Sequence, residues 1–583
     1  MKKFFALLFT FFLFISLCAE ENVKDYSSSN LSVPISDSVY QLLEYADVKG
    51  YIPLLPMRKP YSHNFVVKQL KEVLSSDRLT DKEKKMFSQA LLRLCPEEKG
   101  EWYKTGSYTN RYDDCGDLPV TAGAAWKSEA AFNFNDASFS NEHWGGAYFL
   151  GNIGVNVSYK FDAWGGIMKQ DESAFAPYTF DKSWDGYQFI FSDFYEYVAV
   201  SEEWSGGLKL EPELVASFYD DRVSVDFSRT RRNWGYGSSS LFLSSDAQPF
   251  LALETHLFPV KWFETNYIVG TLEYESNGNL KTSASDSQTM YSMISGQFNI
   301  GDYAYFGAVS SGVWCKRLEL GYMYPLLLPF LYQNQIGDFD NVQIGLYAGT
   351  QIPNVTHLYF ELFIDECNIT EENFFNKDRN MYAFQAGAKT PVPVWLSVLT
   401  AQYTKIEPYM YTHPDTENPW YSTTSSYSGY INTSYLNHGE CIGYYLPPNS
   451  DEFLISFESA PLSFLNTTAS YALVRHGCTR GSKAVDGSSY TDTLNYSNLN
   501  SNSEGEIYWK NFLHDGAYEW INYLTLGASI DLRKWSLPVS VNLSYTFSYT
   551  LHSYGTSDSI EFFSDDEYSN SVGNYVNLSF RIY

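Results

Sequence analysis

Between Arg231 and Phe250 the chain reads RRNWGYGSSSLFLSSDAQPF, and Arg229 precedes it. Guanidinium forks pair with carboxylates in a fixed planar geometry, including those of acidic sugars. Flat aromatic rings cover the apolar faces of pyranoses while neighbouring polar groups bind the hydroxyls. Arg229, Arg231, Arg232, Trp234, Tyr236 and Asp246 are therefore the candidate ligand-binding residues. Each has a plainer reading. Trp234-Gly235-Tyr236-Gly237 also suits a turn at a strand end, with glycines bending the backbone and an interfacial Trp anchoring it. The arginines also suit an internal ion-pair network with acidic residues such as Asp226, which is the preferred reading. Asp246, Asp338, Asp340 and Asp365 read as partners in such an interior rather than calcium ligands, because no segment has the EF-hand order of oxygens.

Catalytic signatures are weaker. The nine histidines form no HExxH pair, and no segment reads G-x-S-x-G in an oxyanion-forming context. No catalytic residue, cofactor or metal ligand is expected, and the chain reads as a non-enzyme. Its 40 Lys+Arg stand against 68 Asp+Glu, a net charge of -28, which repels nucleic acid. Aromatic residues make up 18% of the chain, which excludes disorder.

The opening MKKFFALLFTFFLFISLCAEEN joins two lysines to an apolar run and small residues, so residues 1–19 read as a secretory signal peptide. A lipoprotein reading would acylate Cys18, but Leu17 is bulky for that signal. The other cysteines (Cys95, Cys115, Cys315, Cys367, Cys441, Cys478) have neither zinc-site nor disulfide-framework spacing. Cys95 and Cys115 are close enough to pair in an oxidising compartment, or to stay free.

The elements that must carry the candidate residues fall into two regions. Residues 30–100 read as a small helical domain. Val39, Leu42, Leu43 and Ala46 have helical spacing, Phe65, Val66, Leu70, Val73 and Leu74 repeat it, and TDKEKKMFSQALLRL opens with Thr80 and Glu83 placed as a capping box. KGYIPLLPMRKPYS reads as a linker between the first two helices. Residues 119–583 switch to period two, most cleanly in PVSVNLSYTFSYT, and NVQIGLYAG and HLYFELFID repeat the pattern. The polar partners are Ser, Thr, Asn and Gly more often than Lys and Glu, which favours a polar lumen inside and an apolar face toward lipid. Trp164, Tyr267, Tyr545 and Tyr549 suit interfacial girdles. The fold class expected is mainly β, a transmembrane antiparallel barrel preceded by a periplasmic α-helical domain. Two long Ser/Thr/Asn/Tyr-rich segments, from His413 to Glu440 and from Lys483 to Glu506, read as surface loops.

Four segments in collinear order carry a resemblance. NWGYGSSSLFLSSDAQPFLALE is one; IGDFDNVQIGLYAGTQIP with LYFELFIDE is another; HGECIGYYLPPNSDEF is the third; VYQLLEYADVKGYIPLL with RKPYS is the fourth. Together they resemble the capsule assembly Wzi family of outer-membrane proteins. Tyr236 and Pro448 depart from its pattern, and the loop after Tyr411 has no counterpart. The resemblance implies a barrel of about eighteen strands. It also implies a surface lectin that binds or organises a capsular or exopolysaccharide without catalysis. The expected partners are surface polysaccharide, outer-membrane lipid and, through the helical domain, envelope export machinery; nucleic acid is not among them. A porin-like diffusion channel and a surface adhesin are the alternatives.

Overall fold

The computed structural model describes residues 29–95, 108–110, 120–169, 171–179, 204–272, 289–315, 317–336, 340–366, 380–413, 433–437, 439–477, 484–485, 487–490, 507–508, 512–513, 518–535, 537, 539–555 and 566–582. The expected signal peptide, Cys115 with any pairing to Cys95, Asp338 and most of both long loops lie outside these residues.

Three helices open the described chain: α1 (Val39–Val48), α2 (His63–Leu74) and α3 (Asp81–Leu94). Ser62 caps α2, its hydroxyl accepting from the Phe65 amide at 3.1 Å. Thr80 and Glu83 close the expected capping box on α3, a device contributing about 1 kcal/mol. Val39, Leu43, Val66, Leu70 and Phe87 bury their helical faces in one cluster. Tyr45 and Tyr51 donate to Glu83 at 2.6 and 3.0 Å, tying α3 back to α1.

Eighteen antiparallel strands then close into a barrel. In chain order they are β1 (Val120–Asn133), β2 (Phe139–Ile153), β3 (Val157–Lys169), β4 (Ser205–Phe218), β5 (Val223–Thr230) and β6 (Phe250–Val260). Next come β7 (Phe263–Thr271), β8 (Thr289–Ile300), β9 (Ala304–Cys315), β10 (Asn341–Ile352), β11 (Thr356–Glu366) and β12 (Met381–Val392). The last six are β13 (Ser397–Ile406), β14 (Ser450–Leu462), β15 (Leu465–Gly477), β16 (Tyr518–Asp531), β17 (Val539–Gly555) and β18 (Asp566–Ile582). The ring closes where β18 pairs β1, from Tyr575 opposite Asn133 to Ile582 opposite Trp126. Closure leaves no open sheet edge, which a lipid environment demands.

Period-two patterning decides which way each residue points. In β17, Leu543, Tyr545 and Tyr549 are exposed on the outside while Thr546, Ser548 and Thr550 are buried within. In β11, Leu358 and Phe360 point out, and His357, Tyr359, Glu361 and Phe363 point in. The apolar face is thus the outer one, as the Ser/Thr/Asn partners imply.

Short turns gather at one end of the barrel, among them residues 154–156, 261–262, 301–303, 353–355 and 463–464. The helices sit on that end. Asn354 in the β10–β11 turn donates its amide to Val48 at 2.9 Å, and Lys49 donates to the Asn354 side chain at 2.6 Å. Gly50 adopts φ +64° and lies so near Pro353 that a Cβ there would clash. Leu396, Val398 and Ala460 of the barrel complete the helical core.

Among the described residues, three segments make up most of the lumen filling. Residues 231–249, between β5 and β6, and residues 407–413, 433–437 and 439–449, between β13 and β14, fold inward from the end with the longer connections. Residues 53–61 enter from the helical end. Arg58 and Lys59 pair as a two-residue strand with Trp234 and Asn233. KGYIPLLPMRKPYS is therefore more than a linker, for Met57 belongs to the lumen core.

Two girdle expectations need correction. Trp164 faces the lumen, packed with Trp144 and Met168, because its position in β3 shares a face with buried Ser158 and Asp162. Tyr267 points outward but is buried beneath a covering segment.

Candidate functional site

Trp234 and Tyr236 sit deep in the lumen rather than at a rim. Trp234 is fully buried; its amide donates to Leu243 at 2.8 Å, and its carbonyl accepts from Ser240 at 2.6 Å. The Tyr236 ring stacks on Tyr305 with centroids 4.1 Å apart, and its hydroxyl donates to Gln297 at 3.0 Å. Glu361, inward-facing on β11, accepts from the amides of Tyr236 and Leu241, both at 3.0 Å, and from the Ser240 hydroxyl at 3.3 Å. Glycine is required beside it, since a Cβ on Gly235 would strike Glu361 and Ser240, and one on Gly237 would strike Gln385. Gln402 on β13 accepts from the Ser238 amide at 3.0 Å.

The arginines divide by role. Arg232 donates from Nε to Glu254 at 2.5 Å, from Nη1 to the carbonyls of Thr230 and Phe250, and from Nη2 to the carbonyl and hydroxyl of Ser228. These bonds use every N–H a guanidinium has, so Arg232 anchors the plug and has none left for a ligand. Arg229 lies opposite Leu251, off the lumen row. Arg231 donates to the Ser245 carbonyl at 2.7 Å and borders a cavity.

That cavity, of about 1040 Å³, lies between the plug and the wall formed by β14 to β18, toward the end with the longer connections. Of the six candidates it brings together Arg231 and Asp246; Arg229, Arg232, Trp234 and Tyr236 stand outside its lining. Asp246 accepts from Ser239 at 2.6 Å and from Ser244 at 3.0 Å. Glu452 on β14 accepts from Tyr445 at 2.6 Å and from Tyr444. Glu519 on β16 accepts from Tyr178 at 3.0 Å, and His552 on β17 lies 3.0 Å from it. Tyr523 donates to the Pro177 carbonyl at 2.6 Å. The lining thus alternates tyrosine rings with fixed carboxylates and hydroxyls. Such a surface accepts hydroxyl protons and covers the apolar face of a flat polar molecule.

Sequence reasoning missed Glu452, Glu519, Tyr444, Tyr445 and Tyr523. Their signal was present: Glu452, Glu519 and Tyr523 interrupt or flank dyadic strands at inward positions, but which strands face one another was not legible.

A second cavity, of about 530 Å³, opens between α2 and the wall at the short-turn end, bordered by Arg58, Asp226 and Glu264. Arg58 also lies 3.3 Å from Glu254. Among the described residues, no group of three His, Cys, Asp or Glu side chains could hold a metal ion.

This geometry defines a closed antiparallel β-barrel with an apolar outer face and a lumen occupied by its own chain. No family model matches the sequence, and no curated protein matches it. Among solved structures, the chain is similar to Wzi, an outer-membrane protein involved in group 1 capsule assembly in Escherichia coli and described as a carbohydrate-binding β-barrel. That likeness has 11% identity and a TM-score of 0.52, covering 94% of this chain and 99% of the other. It shows the fold. Pseudomonas aeruginosa OprD matches at 10% identity and a TM-score of 0.37, covering 79% of this chain and 94% of the other. OpdK with vanillate, from the same organism, matches at 8% and 0.40, covering 79% and 98%.

Proposed function

We propose that this protein is a non-catalytic glycan-binding barrel, holding a surface polysaccharide in the cavity above its plug. The observation that carries this is the placement of a tyrosine- and carboxylate-lined cavity, toward the long-loop end, over a lumen filled by residues 53–61, 231–249, 407–413, 433–437 and 439–449. In outer-membrane barrels the long connections face the cell exterior and the short turns face the periplasm, so the cavity faces outward and the helices are periplasmic. The polar outer faces of α2 and α3 are the surface an export partner would meet. Wzi, of similar fold, is described as carbohydrate-binding.

The lining also narrows the ligand. Glu172, Asp246, Glu440, Glu452 and Glu519 border the cavity with Arg231 as its arginine. This balance favours neutral or amino sugars over the acidic sugars that the arginine cluster suggested.

Binding of glycan from the producing cell's surface to purified, detergent-folded protein tests the reading, with Asp246→Asn and Glu519→Gln as cavity variants. Saturable binding that weakens in folded variants supports it. Folded wild type that binds none of the glycan overturns it.

A further inference from the structure

The outward faces of β7 to β10 belong to the lipid-facing surface, yet part of that surface is covered. Tyr267, Ile294, Trp314 and Val342 alternate with lumen-facing Ile268, Tyr291, Met293 and Val313, and Tyr267 lies opposite Ile294. All four are nonetheless buried.

Their cover is the β9–β10 connection, residues 317–336, which ends in α4 (Pro329–Ile336). The outward rows here carry Ser292, Ser310 and Gly312, whereas nearer the short-turn end they carry Phe298 and Phe306. Small residues leave the room the segment fills. A Cβ on Gly312 would already touch Pro329 at 3.4 Å. Phe330 donates its amide to the Ser310 hydroxyl at 3.1 Å, and Tyr267 donates to the Tyr322 carbonyl at 3.0 Å. Arg317 roots the segment, pairing with Asp340 and, at 3.3 Å, with Glu319, while Tyr332 donates to Glu319 at 2.6 Å.

The other side of this segment is apolar and open. Leu318, Leu320 and Leu326 are 68%, 69% and 66% exposed, joined by Tyr324 and Leu331. In water each such leucine forgoes most of the stabilisation that burial of its side chain would give. The patch continues into the exposed outward residues Phe306, Leu346 and Phe360 of the adjoining strands, a surface that meets hydrocarbon in a spanning barrel.

We propose that residues 317–336 form a flap immersed in the outer leaflet of the membrane, with Leu318, Leu320 and Leu326 packed against lipid acyl chains. The flap thickens the wall around the small outward residues Ser292, Ser310 and Gly312 and replaces a lipid contact that Ser292 and Ser310 would make poorly.

Nitroxide labels at Leu320→Cys and Leu326→Cys test this in the full chain, with native cysteines replaced and the protein reconstituted in phospholipid vesicles. Leu346→Cys supplies the hydrocarbon reference, and Tyr219→Cys, in the short turn 219–222, the aqueous one. Flap labels that collide with oxygen in preference to a water-soluble nickel chelate, as the Leu346 label does, are expected. Labels that behave like Tyr219 overturn the proposal in favour of a solvent-exposed loop. Labels shielded from both probes overturn it in favour of an interface between copies of the chain. Retention of heat-modifiable gel mobility confirms that each labelled barrel is folded.

Discussion

Arg232 and Glu254 meet at 2.5 Å inside the barrel with their side chains 1% and 2% exposed. Arg58, arriving from the helical end, shares the same carboxylate at 3.3 Å. One acidic side chain on β6 therefore holds both the inward loop and the N-terminal segment.

Replacing Glu254 with Gln leaves two guanidinium groups facing a neutral amide. Breaking a buried pair in this way costs about 3–5 kcal/mol. The urea midpoint for loss of heat-modifiable mobility is expected to fall accordingly. Arg232→Met with Glu254→Met recovers only part of the loss, because Arg232 also satisfies the carbonyls of Ser228, Thr230 and Phe250. Full recovery would show that those carbonyls do not need it.

The plug predicts electrical silence. Wild-type protein in planar bilayers is expected to show no stable large openings. Glu361→Ala removes the acceptor for Tyr236, Leu241 and Ser240, and frequent openings are expected as residues 235–241 detach. Large openings in the wild type would favour a channel.

Charge in the cavity predicts a ligand order. Neutral or amino-bearing oligosaccharides are expected to bind more tightly than uronic-acid analogues of equal length, and added salt should narrow the gap by screening repulsion. Glu519→Gln is expected to weaken binding of the amino-bearing ligand about tenfold, equivalent to roughly 1.4 kcal/mol, with unchanged heat modifiability. The opposite order, measured by titration calorimetry, would assign Arg231 the leading role.

Acid should loosen the helices before the barrel. Burial alone would raise the Glu83 carboxyl, but hydrogen bonds from Tyr45, Thr80 and Tyr51 hold it below its ordinary value. Burial would likewise raise Glu44, but Lys389 and Lys59 hold it low. Each carboxylate therefore binds its proton more readily in the unfolded chain. Their stabilisation is complete above the ordinary glutamate range and is lost as pH falls through the lowered folded values. Hydrogen exchange in peptides spanning residues 39–94, corrected for intrinsic rates, should rise from about pH 6 to about pH 3. Glu83→Gln should flatten that rise; an unchanged profile would remove Glu83 as its source.

What was legible in the chain was local. Alternation in β17 declared an apolar outer face, and Thr80 with Glu83 declared the start of α3, because both depend on neighbours within a few residues. The place of Trp234 was not legible. An aromatic beside glycine looks alike at a rim and in a core, and only the inward path of residues 231–249 separates the two. The arginine cluster reads as part of an ion-pair network, yet the partner of Arg232, Glu254 on β6, carries no mark that distinguishes it from the chain's other acidic residues. Tyr267 failed for a third reason: its shield includes Tyr322, fifty-five residues further on.

A ring of eighteen strands has little inherent resistance to being flattened, since each ladder can hinge slightly about its neighbour. Here the ring is braced like a wheel. Glu254 on β6, Gln297 on β8, Glu361 on β11 and Gln402 on β13 all grip the segment from Arg232 to Leu241. These spokes reach different points of the wall from one hub, so lateral pressure from the membrane that pushes one strand inward loads the others. The hub thereby fixes the cross-section of the barrel, and with it the width of the cavity that rests on the hub.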